Sequence, residues 1–199
     1  IDTFGGAPVN AAQWEDEKSG FNTANQAWMW YVNYSGESMR NLANFTGWMS
    51  AEADWGYSSL TKPGIDRSLY DKIANTDFRK NTFVHPDKFS FHNYKTSRDA
   101  QFITDAPAYL GLKFRCKAGD WETYSIGGAV DVPVMRIEEM YFIEAEAKAH
   151  LDATAGKNLL ETFMKTYRDP SYTCSASSME DVVKEIILQK RIEFWGEGI

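Results

Sequence analysis

The sequence predicts a mainly α fold, in which a helical C-terminal region packs against a loop-rich region with a few short strands. Regular helical periodicity of apolar residues is confined to the last third of the chain. Residues 1–60 are rich in Gly, Asn and Ser, and these residues interrupt both the helical and the strand period. We therefore expect a loop-rich, aromatic ligand-binding region at residues 1–130 and a helical region at 131–199, both parts of one domain.

The composition narrows the possible classes of function. The chain has 199 residues, of which 43% are hydrophobic, and its 21 Lys and Arg against 28 Asp and Glu give a net charge of −7. An acidic chain without clustered cations is a poor partner for nucleic acid, because binding a phosphate backbone requires Lys and Arg. Cys116 and Cys174 have no Cys or His at metal-binding spacing, so the sequence implies no metal and no cofactor. We expect two free thiols, although one disulfide stays an alternative.

The first predicted helix of the last third begins near Ile137 and ends near Ala155-Gly156. The second ends before Pro170 and carries its apolar residues at helical spacing. In the third, Ser177 and Glu180 form a capping-box pattern, and the apolar stripe continues to Phe194. The predicted buried faces are, in order, Ile137, Met140, Ile143, Ala147 and Leu151; Leu160, Phe163, Met164 and Tyr167; and Met179, Val182, Val183, Ile186 and Ile187. Short connections predict that the three helices are antiparallel neighbours.

The middle of the chain has weaker patterns. Residues 69–73 are typical of a short helix, and a strand-like stretch contains Phe89, Phe91 and Tyr94.

Aromatic side chains are the most unusual feature, at 15% of all residues, and five of the seven Trp lie in residues 1–60. A flat ring offers an apolar surface to the C–H face of a sugar, while nearby Asn and Gln can bond its hydroxyls. The alternative is that these rings fill a core that has few aliphatic residues. If residues 28–31 are extended, Trp28 and Trp30 should share one face. The candidate ligand-binding residues are Trp28, Trp30, Tyr31, Trp48, Trp55 and Tyr57.

Glu52 and Asp54 raise an enzymatic alternative. In an extended segment their carboxylates would share one face, as glycoside hydrolysis requires. Acidic residues beside exposed rings are equally suited to accepting hydrogen bonds from sugar hydroxyls, and we consider catalysis the weaker interpretation.

Three segments of the chain form recognisable motifs. They are the shorter TDFRK at residues 76–80, DVPVMRIEEMYFIEAEA at residues 131–147 and KRIEFWGEG at residues 190–198. These segments resemble signatures of the SusD/RagB family of outer-membrane glycan-uptake lipoproteins. Within the last signature, Arg191 and Glu193 do not face each other on a helix, so we expect each to brace the fold through its own partner rather than to bind ligand.

This resemblance implies a cell-surface protein of the bacterial outer membrane that binds oligosaccharide or polysaccharide without turnover. It further implies delivery of the glycan to a SusC-like TonB-dependent transporter, tetratricopeptide-like helices, and membrane attachment through a lipid anchor absent from this chain. Because family members are longer, we expect the chain to be a fragment. Peptide capture, as in some RagB-like members, is the alternative within the same family.

Overall fold

Three helices of equal length dominate the C-terminal part of the fold. The computed structural model describes residues 5–36, 42–88 and 95–198. The predicted strand with Phe89, Phe91 and Tyr94 lies outside these residues. The helices are α1 (Ala11–Glu15), α2 (Phe45–Met49), α3 (Arg67–Tyr70), α4 (Ala100–Asp105), α5 (Tyr124–Gly127), α6 (Ile137–Leu151), α7 (Ala153–Tyr167) and α8 (Met179–Glu193), the strands are β1 (Trp28–Asn33) and β2 (Asp131–Arg136), and short 3-10 turns span Tyr57–Ser59, Phe78–Thr82 and Lys117–Gly119.

Helices α6 and α7 form an antiparallel hairpin. Ala149 lies against Gly156 near the turn, whereas Phe142 packs on Phe163 at the far end, with 4.9 Å between the ring centroids. A Cβ atom at Gly156 would lie 2.5 Å from the Cα atom of Ala149, so the absence of a side chain allows the two backbones to meet. Helix α8 completes the core of the helical part. The buried residues of this core are Phe142, Ala145, Ala149, Leu160, Phe163, Met164, Val182, Ile186 and Phe194.

The predicted end of α6 and most of its predicted face are wrong, although Ile137 is buried as predicted. The helix ends at Leu151, because the Asp152 side chain accepts hydrogen bonds from the backbone of the next turn and starts α7 at once. Ile143 and Leu151 are exposed, at 51% and 84%. The buried face instead comprises Phe142, Ala145 and Ala149, since α7 needs small residues opposite Gly156 and a large ring farther along the hairpin.

The predicted face of α7 is confirmed, but that of α8 is confirmed only in part. Val182 and Ile186 are buried and Val183 packs against the core, whereas Met179 and Ile187 are 45% and 44% exposed. Leu160, Phe163 and Met164 are buried in the core, with Tyr167 packed against it, and α7 ends at Tyr167. Helix α8 has its N-cap at Ser178 rather than Ser177, because Ser178 is also followed three residues later by an acid, Asp181, whose backbone N–H it accepts at 3.1 Å.

An aromatic core connects the loop-rich region to the helices. The rings of Trp14, Phe21, Trp28 and Phe114 pack together and reach Ile137 at the start of α6. In the T-shaped contact between Trp14 and Phe21 the ring centroids are 4.6 Å apart. Aromatic rings thus form the part of the loop-rich region that packs against the start of α6.

The only sheet in the described ranges consists of β1 and β2, which pair antiparallel. It joins residues on both sides of the predicted boundary at position 130, and the division into two regions stays a prediction. Cys116 and Cys174 are both buried and unpaired, as expected. Of the helices described, none is long and apolar enough to cross a membrane.

Candidate ligand-binding surface and buried charge network

Trp48 and Tyr57 form an exposed, stacked pair of rings. Their ring centroids are 4.0 Å apart and their planes differ by 12°, while 53% of Trp48 and 45% of Tyr57 remain accessible to solvent. Each ring covers one face of the other, so a ligand can stack only on an outward face. The pair is the best-defined flat apolar surface among the six candidate residues.

Two glycines bring these rings together. Gly47 precedes Trp48 in α2, and Gly56 precedes Tyr57 at the start of a 3-10 turn. Gly56 has a φ of +77°, and a Cβ atom there would lie 2.8 Å from the Cα atom of Gly47. Asn44 fixes the start of α2 by accepting the Gly47 N–H at 2.8 Å. The sequence analysis did not recognise the two Gly-aromatic dipeptides, Gly47-Trp48 and Gly56-Tyr57, whose glycines allow this close contact.

Strand β1 carries a second group of exposed rings. Trp30 is 62% and Tyr31 43% accessible, whereas Trp28 is buried at 4%. The strand is extended, but its register shifts between Trp28 and Trp30 and again between Trp30 and Tyr31. The expectation that Trp28 and Trp30 share a face is wrong, because these irregularities break the two-residue alternation.

Two of the six candidates lie inside the molecule. Trp28 packs in the aromatic core, and Trp55, 7% accessible, packs against Ala53 and Cys116. Neither ring presents a face to solvent, so we exclude both from the proposed site. They fill core space, which was the alternative considered for any single ring.

The carboxylates of Glu52 and Asp54 do not form a catalytic pair on one accessible face. Glu52 is fully buried, forms a salt bridge of 2.8 Å to Arg115 and accepts a hydrogen bond from Thr96, whereas Asp54 is exposed. The segment is a turn rather than a strand, so the predicted alternation does not hold. Glu52 is committed to holding surrounding loops together.

A buried charge network lies at the centre of the molecule, and Glu193 is its hub. Its Oε2 atom accepts from Arg79 Nη1 at 3.0 Å and from Arg168 Nε at 2.8 Å. Its Oε1 atom accepts from Arg168 Nη2 at 2.8 Å and lies 3.3 Å from Arg136 Nη1. All four residues are at most 2% exposed. The network consists of Arg79, Lys113, Arg136 and Arg168 with Asp77, Glu138, Glu193 and Glu197.

The network is electrically balanced, with four cations and four carboxylates, and it connects segments far apart in sequence. Arg79 belongs to the segment 76–80, Arg136 and Glu138 to 131–147, and Glu193 and Glu197 to 190–198. These are the three segments that resemble family signatures. Charged residues from all three segments therefore contact one another in the buried network. These contacts fix how the three segments are arranged.

The electrostatics favour ionised carboxylates. Burial alone would raise the pKa of Glu193, but the guanidinium groups of Arg168, Arg136 and Arg79 outweigh this and hold the pKa far below its usual range. Arg136 and Lys113 likewise hold the pKa of Glu197 below its ordinary value despite its burial. Burial lowers the pKa of Lys113 to about 8, against the opposing effect of Glu197.

Of the two signature residues predicted to brace the fold, Glu193 does so. Arg191 is exposed and forms no hydrogen bond or salt bridge among the described residues, so its bracing role stays a prediction.

Comparison with known proteins agrees with this architecture. A model of the SusD family matches residues 23–199. A SusD-like carbohydrate binding protein from Bacteroides vulgatus has a similar structure, with a TM-score of 0.68 and 23% identity, over 98% of this chain and 37% of that chain. A SusD superfamily protein from Parabacteroides distasonis gives a TM-score of 0.56 and 14% identity, over 96% of this chain and 41% of that one.

The similarity to these two structures concerns the fold, and the chain spans well under half of their length. No curated protein matches the chain. The family model nevertheless covers most of the sequence, including all three resembling segments. The chain therefore belongs to the SusD family.

Proposed function

We propose that the chain is part of a cell-surface glycan-binding protein that captures oligosaccharide by stacking it on exposed aromatic rings. The protein is held at the bacterial outer membrane through a lipid anchor and passes the glycan to a SusC-like TonB-dependent transporter. Family membership and the carbohydrate-binding relative from Bacteroides vulgatus support this proposal. The observation that carries it is the exposed Trp48–Tyr57 stack.

The stacked pair suits a sugar for three reasons. Its rings stack face to face, so each ring supports the other and keeps an outward face on which a sugar can stack. About half of each side chain is accessible, although indole and phenol rings are normally buried when they only stabilise a fold. The close approach of Gly47 and Gly56 fixes both rings, which reduces the entropy lost when a ligand binds. Trp30 and Tyr31 on β1 supply further exposed rings that a longer oligosaccharide can contact.

Affinity electrophoresis against a panel of polysaccharides tests the proposal. The wild-type chain should be retarded by at least one polysaccharide, and Trp48→Ala should lose most of that retardation, because a stacking ring contributes roughly 1–3 kcal/mol of binding energy. Leu151→Ala is the matched control, since Leu151 is 84% exposed and apolar but lies at the end of α6. Equal retardation of wild type and Trp48→Ala would refute the proposed platform.

Binding without turnover is part of the proposal. Incubating the chain with each retarding polysaccharide should produce no new reducing ends. Their appearance, and their loss in an Asp54→Asn variant, would instead show a glycosidase.

A further inference from the structure

A pocket lies apart from the six aromatic candidate residues. It has a volume of about 300 Å³, and none of the six candidate rings lines it. Helix α4 forms one wall, and Lys62 and Arg98 project from the segments before it. This volume is near the lower end for small-molecule sites, which suits a single sugar unit.

Two cations flank one ring in this pocket. Lys62 Nζ lies 5.7 Å and Arg98 Cζ lies 5.2 Å from the ring centroid of Phe102. Lys62 donates to the backbone oxygen of Ala51 at 2.9 Å, and Arg98 Nη1 donates to the backbone oxygen of Glu52 at 2.6 Å. Both acceptors are uncharged, and within the described ranges neither cation has a carboxylate at salt-bridge distance.

The cations are incompletely satisfied. Arg98 Nε is buried and has no hydrogen-bond partner in the described part of the chain. Burial lowers the pKa of Lys62, and the charge of Arg98 lowers it further, with only Asp54 opposing them. A bound anion would relieve both the mutual repulsion and the desolvation of these groups.

The lining of the pocket also carries acceptors, Asp99 and Asp105. Asp99 Oδ1 accepts the Phe102 N–H at 3.0 Å, and Asp105 Oδ1 accepts from Gln101 Nε2 at 2.8 Å. The second oxygen of each carboxylate makes no hydrogen bond with a described residue and can accept from a hydroxyl group. A simple inorganic anion would be repelled by these carboxylates, whereas a ligand with one carboxylate and several hydroxyls complements both the cations and the carboxylates of the lining.

We infer that this pocket binds the uronic acid unit of an acidic oligosaccharide, with Lys62 and Arg98 holding its carboxylate and Asp99 and Asp105 accepting from its hydroxyls. The inference rests on the proposed glycan-binding function and specifies a class of glycan. The Phe102 ring supplies an apolar part of the lining within reach of both cations.

Isothermal titration with matched ligands tests this assignment. Glucuronate and galacturonate trimers are compared with the same trimers after reduction of their carboxylates to alcohols. At least one acidic trimer should bind about tenfold more tightly than its reduced form, because hydrogen bonds to a charged group are the stronger ones. Lys62→Gln should abolish that preference, Lys62→Arg should retain most of it, and Lys184→Gln, which removes an exposed cation on α8, should leave it unchanged.

Thermal unfolding of each variant verifies that Lys62→Gln remains folded. Equal affinities for acidic and reduced trimers in the wild type, or a preference that survives in Lys62→Gln, would overturn the inference while leaving the stacking proposal intact. Failure of the stacking proposal has a different signature, because Trp48→Ala would then be retarded as strongly as the wild type. An acidic peptide that binds as tightly as the trimers and depends equally on Lys62 would overturn the assignment to sugar.

Discussion

The buried charge network and the exposed Trp48–Tyr57 stack invert the usual distribution of residues in opposite ways. Eight charged side chains are buried in the network, where aliphatic residues are the norm, and two large rings are exposed at the surface. The charges neutralise one another and specify how distant segments meet. The rings remain about half exposed, which supports the proposal that they bind ligand. In this proposal the buried charges stabilise the fold, and the exposed rings bind ligand.

The largest expected effect comes from Glu193→Gln. This change leaves three buried guanidinium groups without their shared carboxylate, and breaking a buried ion pair costs about 3–5 kcal/mol. Urea denaturation should therefore show a severely destabilised or unfolded chain. Glu180→Gln, which removes an exposed carboxylate from the same helix, should change the free energy of unfolding by under about 0.5 kcal/mol. A loss below about 1 kcal/mol in Glu193→Gln would show that the network is not the organising element.

Gly56→Ala should have the next largest effect, because it acts on the scaffold of the stack. The added Cβ atom meets Gly47, and the positive φ is unfavourable for Ala, so we expect a loss of roughly 1–3 kcal/mol in unfolding free energy. Gly5→Ala is the matched control, since Gly5 also has a positive φ but nothing within 4 Å of the added atom. Equal losses in both variants would mean that the contact with Gly47 does not matter.

Acid should weaken the network without requiring a mutation. The pKa values of Glu193 and Glu197 are lower in the folded chain than in the unfolded chain. The unfolded state therefore binds more protons, and the stabilisation is complete above the ordinary Glu pKa and declines as the pH falls below about 4.5. The decline between pH 5 and pH 3, followed by thermal unfolding, should be shallower in Glu197→Gln. An identical decline would show that Glu197 carries no such linkage.

The smallest effect on stability is expected from Trp48→Ala. The ring is half exposed and stacks on Tyr57, so the free energy of unfolding should fall by about 1 kcal/mol or less, the value of one aromatic pair. Chemical denaturation measures this change. A loss of 3 kcal/mol or more would place Trp48 with the residues that build the fold.

Sequence periodicity predicted the elements whose partners are local. The apolar stripe of α7 and the mainly α class follow from spacing alone. Spacing alone did not predict the buried face of α6, because two sets of apolar residues lie along that helix. Which set is buried depends on contact with Gly156 of α7. The charge network was equally inaccessible, since Arg79 and Glu193 are 114 residues apart and no local pattern connects them.

The candidate site was predicted in part for the same reason. The sequence predicted that some of the rings are exposed for ligand binding, and the structure exposes Trp30, Tyr31, Trp48 and Tyr57, while their role in binding stays a prediction. Composition could not identify Trp28 and Trp55 as core residues, because their burial depends on the bulges in β1 and on packing against Cys116.

The most direct test of the account measures stability and glycan affinity on the same samples of wild type and the Trp48→Ala/Tyr57→Ala double variant. Calorimetric titration with the oligosaccharide of the most strongly retarding polysaccharide should show at least a tenfold loss of affinity, while the free energy of unfolding falls by no more than about 2 kcal/mol. An affinity within twofold of the wild type, in a folded variant, would contradict the claim that the exposed rings bind glycan while the buried charges stabilise the fold.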